Sequence, residues 1–365
     1  MRGLSWRNFD FLLFGAAVLA SAFGAMMIRS AIAGNANLAG YDSRQIYFAL
    51  AGAVVIIILA SIDYRYWLAI YWPIYIVMML FLMSLSGLGQ AAFGAQRWFQ
   101  VGVLFVQPTE FAKVVIILAL ARYFERSQHE RRDLKWLLKS LAWVWGLVIW
   151  ILLQPNLSNV IVAMFIWVAM VWMNGVQVRQ IIWLVLAVAL LAVLAFPFLQ
   201  PYQQARVLNF VHADPNARNG ATYNVSQALI AIGSGGVFGK GYGHGTQTQL
   251  RFMKVRHTDF IFSATAEEFG MVGAVIVLAI EAFIIWRCIR SAQKARDLAG
   301  AMIAFGVAIL LFFQAAANIA VNLNLIPVSG LPLPFISYGG SGLMALMIGI
   351  GLVESVVMRH KSLDF

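Results

Sequence analysis

The sequence predicts an all-α, polytopic integral membrane protein with about ten transmembrane helices. Hydrophobic residues make up 62% of the 365-residue chain and charged residues only 11%, and the mean hydropathy is +0.80. A soluble domain is usually about one quarter charged, so this chain requires lipid as its solvent. Apolar runs of about 20 residues, the length that crosses a bilayer, recur along the chain. We therefore treat residues 1–365 as a single transmembrane domain.

The predicted spans are apolar runs separated by short polar joints. The first run begins near Phe11 and is too long for a signal-peptide core, so we expect it to remain as a helix. The joints near 63–67 and 154–156 are tight. One long polar loop, 200–258, separates the seventh span from the eighth. The ten predicted spans are 11–33, 45–63, 67–86, 108–124, 138–153, 156–173, 181–199, 260–286, 300–323 and 338–358.

The distribution of Lys and Arg predicts the orientation of the chain. With the N-terminus in the cytoplasm, sixteen of the 26 Lys and Arg residues fall on the inner side, and three fall in the short outer segments. Short cytoplasmic loops are enriched in positive charge. Both termini are therefore predicted to be cytoplasmic and the long loop extracellular. Most of the net charge of +11 follows from this orientation, so we expect no nucleic-acid partner.

The long loop carries an unusual number of cations for an outer segment. One interpretation is that long loops cross the membrane whatever their charge. The other is that the cations meet an anionic, membrane-bound ligand such as a lipid phosphate or pyrophosphate. The six cations are Arg206, Arg218, Lys240, Arg251, Lys254 and Arg256, and Asp214 and Asp259 are the acids that offset them.

Asp259 is the strongest candidate for chemistry. It follows the basic residues Lys254, Arg256 and His257 and directly precedes the eighth span, which places a carboxylate at the outer mouth of a helix. Ionisable groups at membrane depth are costly and usually functional. The alternative is that Thr258 or Asp259 caps the helix, and the sequence leaves both interpretations open.

A glycine-rich segment, GSGGVFGKGYGHG, lies in the second half of the long loop. Glycines let a backbone approach a ligand closely and offer N–H donors to an anion. The segment does not fit the nucleotide-binding P-loop, because Ser234 stands where the first glycine is needed and Gly241 replaces the Ser or Thr. Glu267 and Glu268 follow in the eighth span, where we expect a structural role for both.

Glu110 and Lys113 form an i,i+3 pair at the start of the fourth span. They are interpreted either as a buried ion pair that joins helices or as a polar wall of a cavity near the outer leaflet. Pro332 and Pro334 predict non-helical backbone before the tenth span. Such backbone must be buried in protein or line a cavity.

Metal ligands are not evident in the sequence. Cys288 is the single cysteine, which excludes an intrachain disulfide and a cysteine-based metal site. The five histidines have no ligand spacing. The metal-binding residues are therefore unknown.

Several segments together resemble the SEDS family of bacterial cell-wall proteins (shape, elongation, division and sporulation). The matching segments are GAQRWF, QPTEFAK, AIGSGGVFGKG, RHTDFIF, AEEFG and NLNLIPVSGLPLPFISYGGSG. They are spread in order over most of the chain, and their combination is highly specific. The YN and RHTDFIF variants are more similar to the RodA branch of the family than to the FtsW branch.

This resemblance implies a peptidoglycan glycosyltransferase that polymerises lipid II during cell elongation, on the outer face of the bacterial inner membrane. The implied partners are a class B penicillin-binding protein, other elongation-complex proteins, lipid II and the nascent glycan strand. Asp259 matches the family's essential aspartate, and Glu110 and Lys113 match its polar pair. Two departures stand out: Asn156 replaces a usual Asp, and residues 253–255 are Met-Lys-Val in place of Leu-Pro-Glu.

The predicted reaction is an inverting sugar transfer. Asp259 removes the proton of an acceptor hydroxyl, which attacks the anomeric carbon of the lipid-linked donor, and undecaprenyl pyrophosphate leaves. A divalent cation, Mg²⁺ or Mn²⁺, is left open, and no organic cofactor is expected. The residues expected to bind the substrate or its pyrophosphate are Arg206, Lys240, Arg256, Glu110 and Lys113.

The main alternative is a lipid II flippase that moves the same precursor without changing it. Glu110, Lys113 and the broken segment near Pro332 would suit a transporter. A transporter predicts paired half-helices, and no inverted repeat is visible in the sequence. An enzyme predicts polar groups gathered at one face, as in loop 200–258. A scaffold protein, the third option, would leave the loop cations unexplained.

Overall fold

The structure is a computed structural model that describes residues 6–88, 90–92, 95–101, 104–211 and 220–359. Within these ranges the chain forms fourteen α-helices and three short strands. The helices are α1 (Phe11–Ile32), α2 (Tyr41–Ser61), α3 (Tyr64–Ala69), α4 (Tyr71–Leu88), α5 (Pro108–Arg126), α6 (Leu134–Leu153), α7 (Leu157–Met173), α8 (Val178–Ala195), α9 (Pro201–Val211), α10 (Gly220–Gly235), α11 (Thr246–Gln249), α12 (Ile261–Lys294), α13 (Leu298–Asn322) and α14 (Gly340–Val357).

Every predicted span overlaps one of these helices. Six segments of the described chain are long and apolar enough to cross a membrane: Phe11–Ile32, Ala36–Ser61, Leu134–Leu153, Ile261–Lys294, Leu298–Asn322 and Gly340–Val357. Two further apolar helices, Tyr71–Leu85 and Leu157–Met173, are shorter. The protein is therefore a multi-pass, mostly helical membrane protein. The count of ten crossings and the cytoplasmic position of both termini stay predictions.

Nine of the described helices begin in one of two ways. Helices α1, α3, α6 and α13 each start at an aspartate whose carboxylate accepts a hydrogen bond from a first-turn backbone N–H, and these residues are Asp10, Asp63, Asp133 and Asp297. Such caps satisfy N–H groups that the helix leaves open. All four lie at the end of the bundle predicted to be cytoplasmic. Helices α2, α5, α7, α12 and α14 start at the opposite end without a cap from their own N-cap side chain.

The fold is not purely helical, which corrects the all-α prediction. Strands β1 (Gln90–Ala92), β2 (Ala95–Val101) and β3 (Leu104–Val106) form an antiparallel sheet before α5. Part of the GAQRWF motif lies in β2. The ring of Phe99 in this strand stacks on Phe81 of α4, with ring centroids 5.1 Å apart. Aromatic and β-branched residues favour strands, and this contact fastens the sheet to the bundle.

The predicted loop 200–258 contains helical structure. Helices α9, α10 and α11 lie in it, and α10 packs against α12. Val225, Ala228 and Ala231 recur every three residues on one face of α10, and they are buried in a small core with Met253 and Phe260. This spacing is helical, but the run is too short and too polar to predict a span. The described parts of the loop, 200–211 and 220–258, are thus partly helical, and α10 and α11 pack against α12.

Helix α5 lies at the centre of the bundle. From Pro108 to Ala121 all of its residues except Phe111 are buried. It contacts α4, α6, α7, α13 and α14. This central position explains why two ionisable residues, Glu110 and Lys113, are removed from lipid and solvent.

The proline-containing segment 326–339 is irregular and buried, as the sequence predicts. Leu331, Leu333 and Ile336 are each less than 5% exposed. An added Cβ on Gly24 of α1 would lie only 2.6 Å from the carbonyl oxygen of Ile336, so only glycine allows this approach. The Ser337 hydroxyl donates a 2.7 Å hydrogen bond to the carbonyl of Thr258. The segment is therefore held directly against the residue that precedes Asp259.

Candidate active site

Asp259 lies just outside α12 and does not cap it. The N-cap residue is Phe260, and it makes no side-chain cap hydrogen bond. The structure therefore contradicts the capping interpretation for Thr258 and Asp259. Asn322 of α13 takes that role from a neighbouring helix, because its Oδ1 accepts a 3.0 Å hydrogen bond from the backbone N of Ser263.

Two asparagines of α13 also fix the backbone of Asp259. Nδ2 of Asn318 and Nδ2 of Asn322 each donate a 2.9 Å hydrogen bond to the Asp259 carbonyl oxygen. Asn318 also donates to the carbonyl of Leu331 at 2.8 Å. The position of Asp259 is thus set through its main chain, and its carboxylate is not required to hold the helix.

The Asp259 carboxyl group is half-buried, and its environment raises its pKa from 3.8 to about 6. Burial is the largest cause, because a low-dielectric surrounding disfavours the charged form. The positive charge of Arg206 and the side chain of Thr258 lower the pKa and only partly offset the effect of burial. A carboxyl group with a pKa near 6 is ionised at neutral pH and more basic than an exposed one.

A cavity of about 270 Å³ lies near Asp259, since its lining includes Arg206 and the two neighbours of Gly330, Ser329 and Leu331. Its wall is mostly apolar, and Arg206 of α9 is the charged residue that lines it. Gly330, with φ +72°, borders Asp259: an added Cβ there would lie 3.9 Å from the carboxylate Oδ2. The cavity is built from the start of α7, from α9, from α13 and from residues 326–331, and its lining includes Asn156, Ser158, Ile161, Gln203, Val207, Phe313, Ala317, Ile326, Pro327, Val328, Ser329 and Leu331.

Asn156 lines this cavity with an unused hydrogen-bond donor. The residue is 5% exposed, and its Nδ2 has no hydrogen-bond partner. A buried donor without a partner is costly, which suggests a partner supplied by a ligand. In the sequence Asn156 stands out only as a departure from the family pattern, and its place in the site is not predicted.

Glu110 and Lys113 form an ion pair of 2.7 Å between buried side chains. The Lys113 Nζ also lies 3.3 Å from Oδ1 of Asn159 on α7, whose Nδ2 donates to the Thr109 hydroxyl at 3.0 Å. Because Asn159 follows Asn156 by three residues, the cluster lies next to the cavity wall at the start of α7. These contacts join α5 to α7, as the helix-joining interpretation predicts.

Lys240 lies in a different cluster, around Glu267 of α12. Its Nζ donates hydrogen bonds of 2.9 Å to the fully buried Glu267 carboxylate and 2.7 Å to the Thr246 hydroxyl. The same carboxylate accepts hydrogen bonds from the backbone N of Gln247 and of Thr248. The positive charge of Lys240 is thus balanced, and Glu267 has the structural role that the sequence predicts.

The glycine-rich segment binds α12 through its backbone. Helix α12 is broken at Gly270 (φ +66°, ψ −161°). The freed carbonyls of Glu267 and Glu268 accept hydrogen bonds from the N–H groups of Lys240 and Gly241, at 3.0 and 2.9 Å. In return, the N–H groups of residues 271 and 272 donate to the carbonyls of residues 236 and 237. These donors serve the broken helix, which explains the glycines without a bound anion.

Arg256 is buried, and its guanidinium group binds backbone carbonyls. Its Nε donates to the carbonyl of Ala31 at the end of α1, and its Nη1 donates to the carbonyl of Met253 at 3.0 Å. Burial lowers the pKa of Arg256 from its usual value. Of the three cations predicted to bind pyrophosphate, only Arg206 lines the cavity near Asp259.

The fold and this site define a multi-pass membrane protein in which a carboxyl group with a raised pKa, that of Asp259, lies near a mostly apolar cavity lined by Arg206. Residues 10–362 match the family model of the FtsW, RodA and SpoVE cell cycle proteins. The chain therefore belongs to this family, which confirms the resemblance drawn from its motifs.

Named relatives and solved structures agree with this assignment. The chain is 35% identical over 326 residues to the peptidoglycan glycosyltransferase MrdB of Escherichia coli K12, covering 89% of this chain and 88% of MrdB. It is 31% identical over 368 residues to a probable peptidoglycan glycosyltransferase FtsW of Geobacter metallireducens, covering 97% and 96%.

Two solved structures share the fold. One is a chain from a study of polymerization and crosslinking by a peptidoglycan synthase complex, with a TM-score of 0.82, 30% identity, and coverage of 97% of this chain and 99% of that one. The other is the rod shape determining protein RodA of Thermus thermophilus, with a TM-score of 0.73, 29% identity, and coverage of 98% and 99%.

Proposed function

We propose that the protein is a peptidoglycan glycosyltransferase that polymerises lipid II into glycan strands, with Asp259 as the general base. Relatives that share most of its length are named for the same transferase activity. The single observation that carries the chemical part is the Asp259 carboxyl group, which has a pKa of about 6, is not used as a helix cap and lies near a cavity lined by Arg206.

The reaction needs one base. A hydroxyl of the acceptor sugar loses its proton to Asp259 as its oxygen forms a bond to the anomeric carbon of the donor. The bond from that carbon to the pyrophosphate oxygen breaks, and the pyrophosphate keeps the electron pair. A pyrophosphate leaving group needs no protonation, so a second carboxylic acid is not required. Attack from the face opposite the leaving group inverts the anomeric centre.

Arg206 is the cation that we assign to the departing pyrophosphate. It lines the cavity, and it is close enough to Asp259 to lower the pKa of that carboxyl group. A guanidinium group suits phosphate oxygens, since it can donate two hydrogen bonds at once. The apolar wall of the cavity suits the first units of a prenyl chain. The unpartnered Nδ2 of Asn156 is a donor for a substrate oxygen in the same cavity.

The other residues that were predicted to bind the substrate differ in their proposed roles. Glu110 and Lys113 adjoin the cavity wall through Asn159, so we propose that they hold the start of α7 in place. A direct contact of Lys240 or Arg256 with pyrophosphate stays a prediction, and their contacts with Glu267 and with backbone carbonyls do not favour it.

A divalent cation fits the site only with help from the substrate. Within the described ranges no three His, Cys, Asp or Glu side chains form a group that could hold a metal ion. Mg²⁺ is often bound by one or two carboxylates and by phosphate oxygens of the substrate. Because the proposed reaction uses the Asp259 carboxylate as the base, phosphate oxygens of the substrate would supply the ligands, and the cation would neutralise charge on the pyrophosphate.

The proposal also includes the membrane side on which Asp259 lies and the protein that acts together with this chain. The distribution of Lys and Arg supports an outer position for Asp259, where lipid II is polymerised. The structural relative belongs to a synthase complex that couples polymerization to crosslinking. We propose that a class B penicillin-binding protein supplies the transpeptidase for this chain, together with other proteins of the elongation complex.

Polymerisation of labelled lipid II by the purified protein, with and without its partner, tests the proposal. We expect glycan strands from the wild type and none from D259N. The matched control is D133N, which makes the same change at a helix cap at the other end of the bundle, where asparagine also caps well. Equal polymer from D259N and the wild type would remove Asp259 as the base.

A liposome assay addresses the transporter alternative. The proposal predicts that the protein, reconstituted with its partner, forms polymer, and that any movement of lipid II across the bilayer does not depend on Asp259. Movement of lipid II without polymer under every condition would support the flippase and contradict the proposed activity.

A further inference from the structure

A second cavity, of about 380 Å³, lies at the end of the bundle that is predicted to be cytoplasmic. It is formed where residues 7–12 meet the last turns of α12 and the end of α14. We call it the basic cavity and define it by its charged residues, Arg7, Asp10, Arg287, Arg290 and Lys294. It lies outside the candidate active site and has no role in the proposed reaction.

One cation of the basic cavity is neutralised inside the protein. Nε of Arg287 lies 2.7 Å from Oδ2 of Asp10. Asp10 itself is 7% exposed and is fixed by hydrogen bonds between its backbone N and Glu354, at 3.0 Å, and between Oδ1 and the backbone N of Leu13, at 3.1 Å. The floor of the cavity is therefore rigid, and its single acid is already paired.

The other three cations are exposed and remain available. Arg7, Arg290 and Lys294 form no ion pair with any residue in the described part of the chain. The basic cavity thus has a surplus of three positive charges around a concave surface. A surface with this excess of positive charge attracts an anion. Because the surface is concave, it can also enclose the anion, which a flat row of positive residues cannot do.

Three other arginines at the same end of the bundle do have partners within the protein. Arg132 donates hydrogen bonds to four backbone carbonyls, and Arg359 also binds backbone carbonyls. Arg65 forms an ion pair with Asp297. These three arginines thus form hydrogen bonds or an ion pair within the protein. Arg7, Arg290 and Lys294 instead lie around one cavity and have no such partners among the described residues.

Apolar surface continues from the basic cavity toward the membrane interior. Phe11 and Leu12, which also line the cavity, are 65% and 61% exposed. Trp286 is 48% exposed, one turn from Arg290, and the guanidinium carbon of Arg290 lies 5.3 Å from its ring centroid. Tryptophan is enriched at the headgroup level of membranes. The cationic cavity suits the phosphate of a phospholipid headgroup, and the adjoining exposed apolar side chains suit its acyl chains.

We propose that the basic cavity binds the headgroup of an anionic phospholipid of the inner leaflet. Arg7, Arg290 and Lys294 contact the phosphate, and the acyl chains lie on Phe11, Leu12 and Trp286. A zwitterionic lipid carries an ammonium or choline group that the surplus cations repel. The site therefore selects phosphatidylglycerol over phosphatidylcholine.

Native mass spectrometry of the full-length protein, titrated with each lipid, tests this site. The variant R290Q/K294Q should bind phosphatidylglycerol about 25-fold more weakly, since each cation near a headgroup contributes about a fivefold factor. The control K135Q/K139Q removes two exposed cations from α6 at the same end of the bundle, outside the cavity, and should bind as the wild type does. The charge-conserving variant R290K/K294R should retain binding and shows that the position tolerates substitution.

Three results would overturn the proposal. Equal affinity of the wild type for phosphatidylcholine would remove the selectivity for an anionic lipid. Equal loss in the control and in R290Q/K294Q would show a general effect of charge. Displacement of phosphatidylglycerol by millimolar inorganic phosphate would assign the cavity to a free anion.

Discussion

The Asn322 side chain donates a 2.9 Å hydrogen bond from Nδ2 to the carbonyl oxygen of Asp259, and its Oδ1 accepts one of 3.0 Å from the N–H of Ser263. One residue of α13 thereby positions Asp259 and caps the first turn of α12. Because this cap comes from another helix, the Asp259 carboxylate remains free for chemistry. The relationship also makes Asn322 a positioning residue for the base.

Replacing Asn322 with alanine should impair both stability and turnover. Loss of the cap and of a hydrogen bond to a buried carbonyl should lower the free energy of unfolding by about 1–3 kcal/mol. A displaced base should slow polymerisation at least tenfold, on the order of effects seen for small displacements of catalytic groups. The control N174A removes a hydrogen bond to the Met170 carbonyl at the other end of the bundle and should leave turnover unchanged. Normal turnover by N322A would contradict the positioning role.

The rate of polymerisation should rise with pH through about 6 and then level off. Asp259 acts as a base only when ionised, and its pKa is about 6. Arg206 lowers that pKa, so R206Q should move the midpoint to higher pH. The measurement is the initial rate at saturating lipid II from pH 4.5 to 8.5. A profile that is flat across this range, or a midpoint that moves down in R206Q, would oppose the assignment.

The variant D259N should be more stable than the wild type at pH 7.5. The folded state raises the pKa of Asp259 above its unfolded value, so between pH 3.8 and 6 the unfolded state binds fewer protons. The wild type therefore loses stability as pH rises through this window, and an uncharged side chain avoids that loss. Thermal unfolding should show a higher Tm for D259N at pH 7.5 and a much smaller difference at pH 4. A lower Tm at pH 7.5 would show that the carboxylate stabilises the fold.

The break in α12 should tolerate only glycine at residue 270. Its φ of +66° and ψ of −161° suit glycine almost alone, and an added Cβ would lie 2.4 Å from the backbone N of Gly239. We expect G270A to unfold at lower temperature and to lose most activity, because the glycine-rich segment must move away from α12. The control G233A lies in α10, where no atom lies within 4 Å of an added Cβ. Similar Tm values for G270A and the wild type would contradict the close packing.

Lys240 and Arg206 should respond differently to loss of charge. K240Q leaves the fully buried Glu267 carboxylate without its cation, so its main effect should be a lower Tm, with an unchanged KM for lipid II. R206Q should raise the KM or slow turnover at a nearly normal Tm, because Arg206 lines the cavity. Steady-state kinetics and thermal unfolding of both variants check this separation. A KM effect in K240Q as large as that in R206Q would return Lys240 to the pyrophosphate site.

The sequence predicted the helical bundle well because membrane helices leave a direct signal in hydropathy. Each predicted span overlaps a helix of the structure, and the proline-containing segment before α14 is irregular and buried as expected. The Glu110–Lys113 pair was also predicted, since i,i+3 spacing brings two side chains together on any helix. These features depend on residues that are close to one another in the sequence.

Features that depend on distant contacts were not predicted. The role of Asn322 requires knowledge that α13 lies beside the start of α12, fifty-nine residues away from Ser263 in sequence. The partners of Lys240 and Arg256 depend on how residues 236–258 fold back on α12 and α1. The strands β1–β3 are too short to give a strong pattern. A pattern of alternating aromatic and β-branched residues after the third predicted span was the one signal that could have indicated them.

Binding and turnover measured on one preparation of D259N, in complex with its partner, test the central claim most directly. Lipid II binding is measured by native mass spectrometry, and polymer formation from the same sample is measured at pH 7.5. If Asp259 is the base, the variant binds lipid II with an affinity close to that of the wild type and forms no polymer. Polymer at the wild-type rate, or loss of polymer together with loss of lipid II binding, would contradict a role for Asp259 in the chemical step.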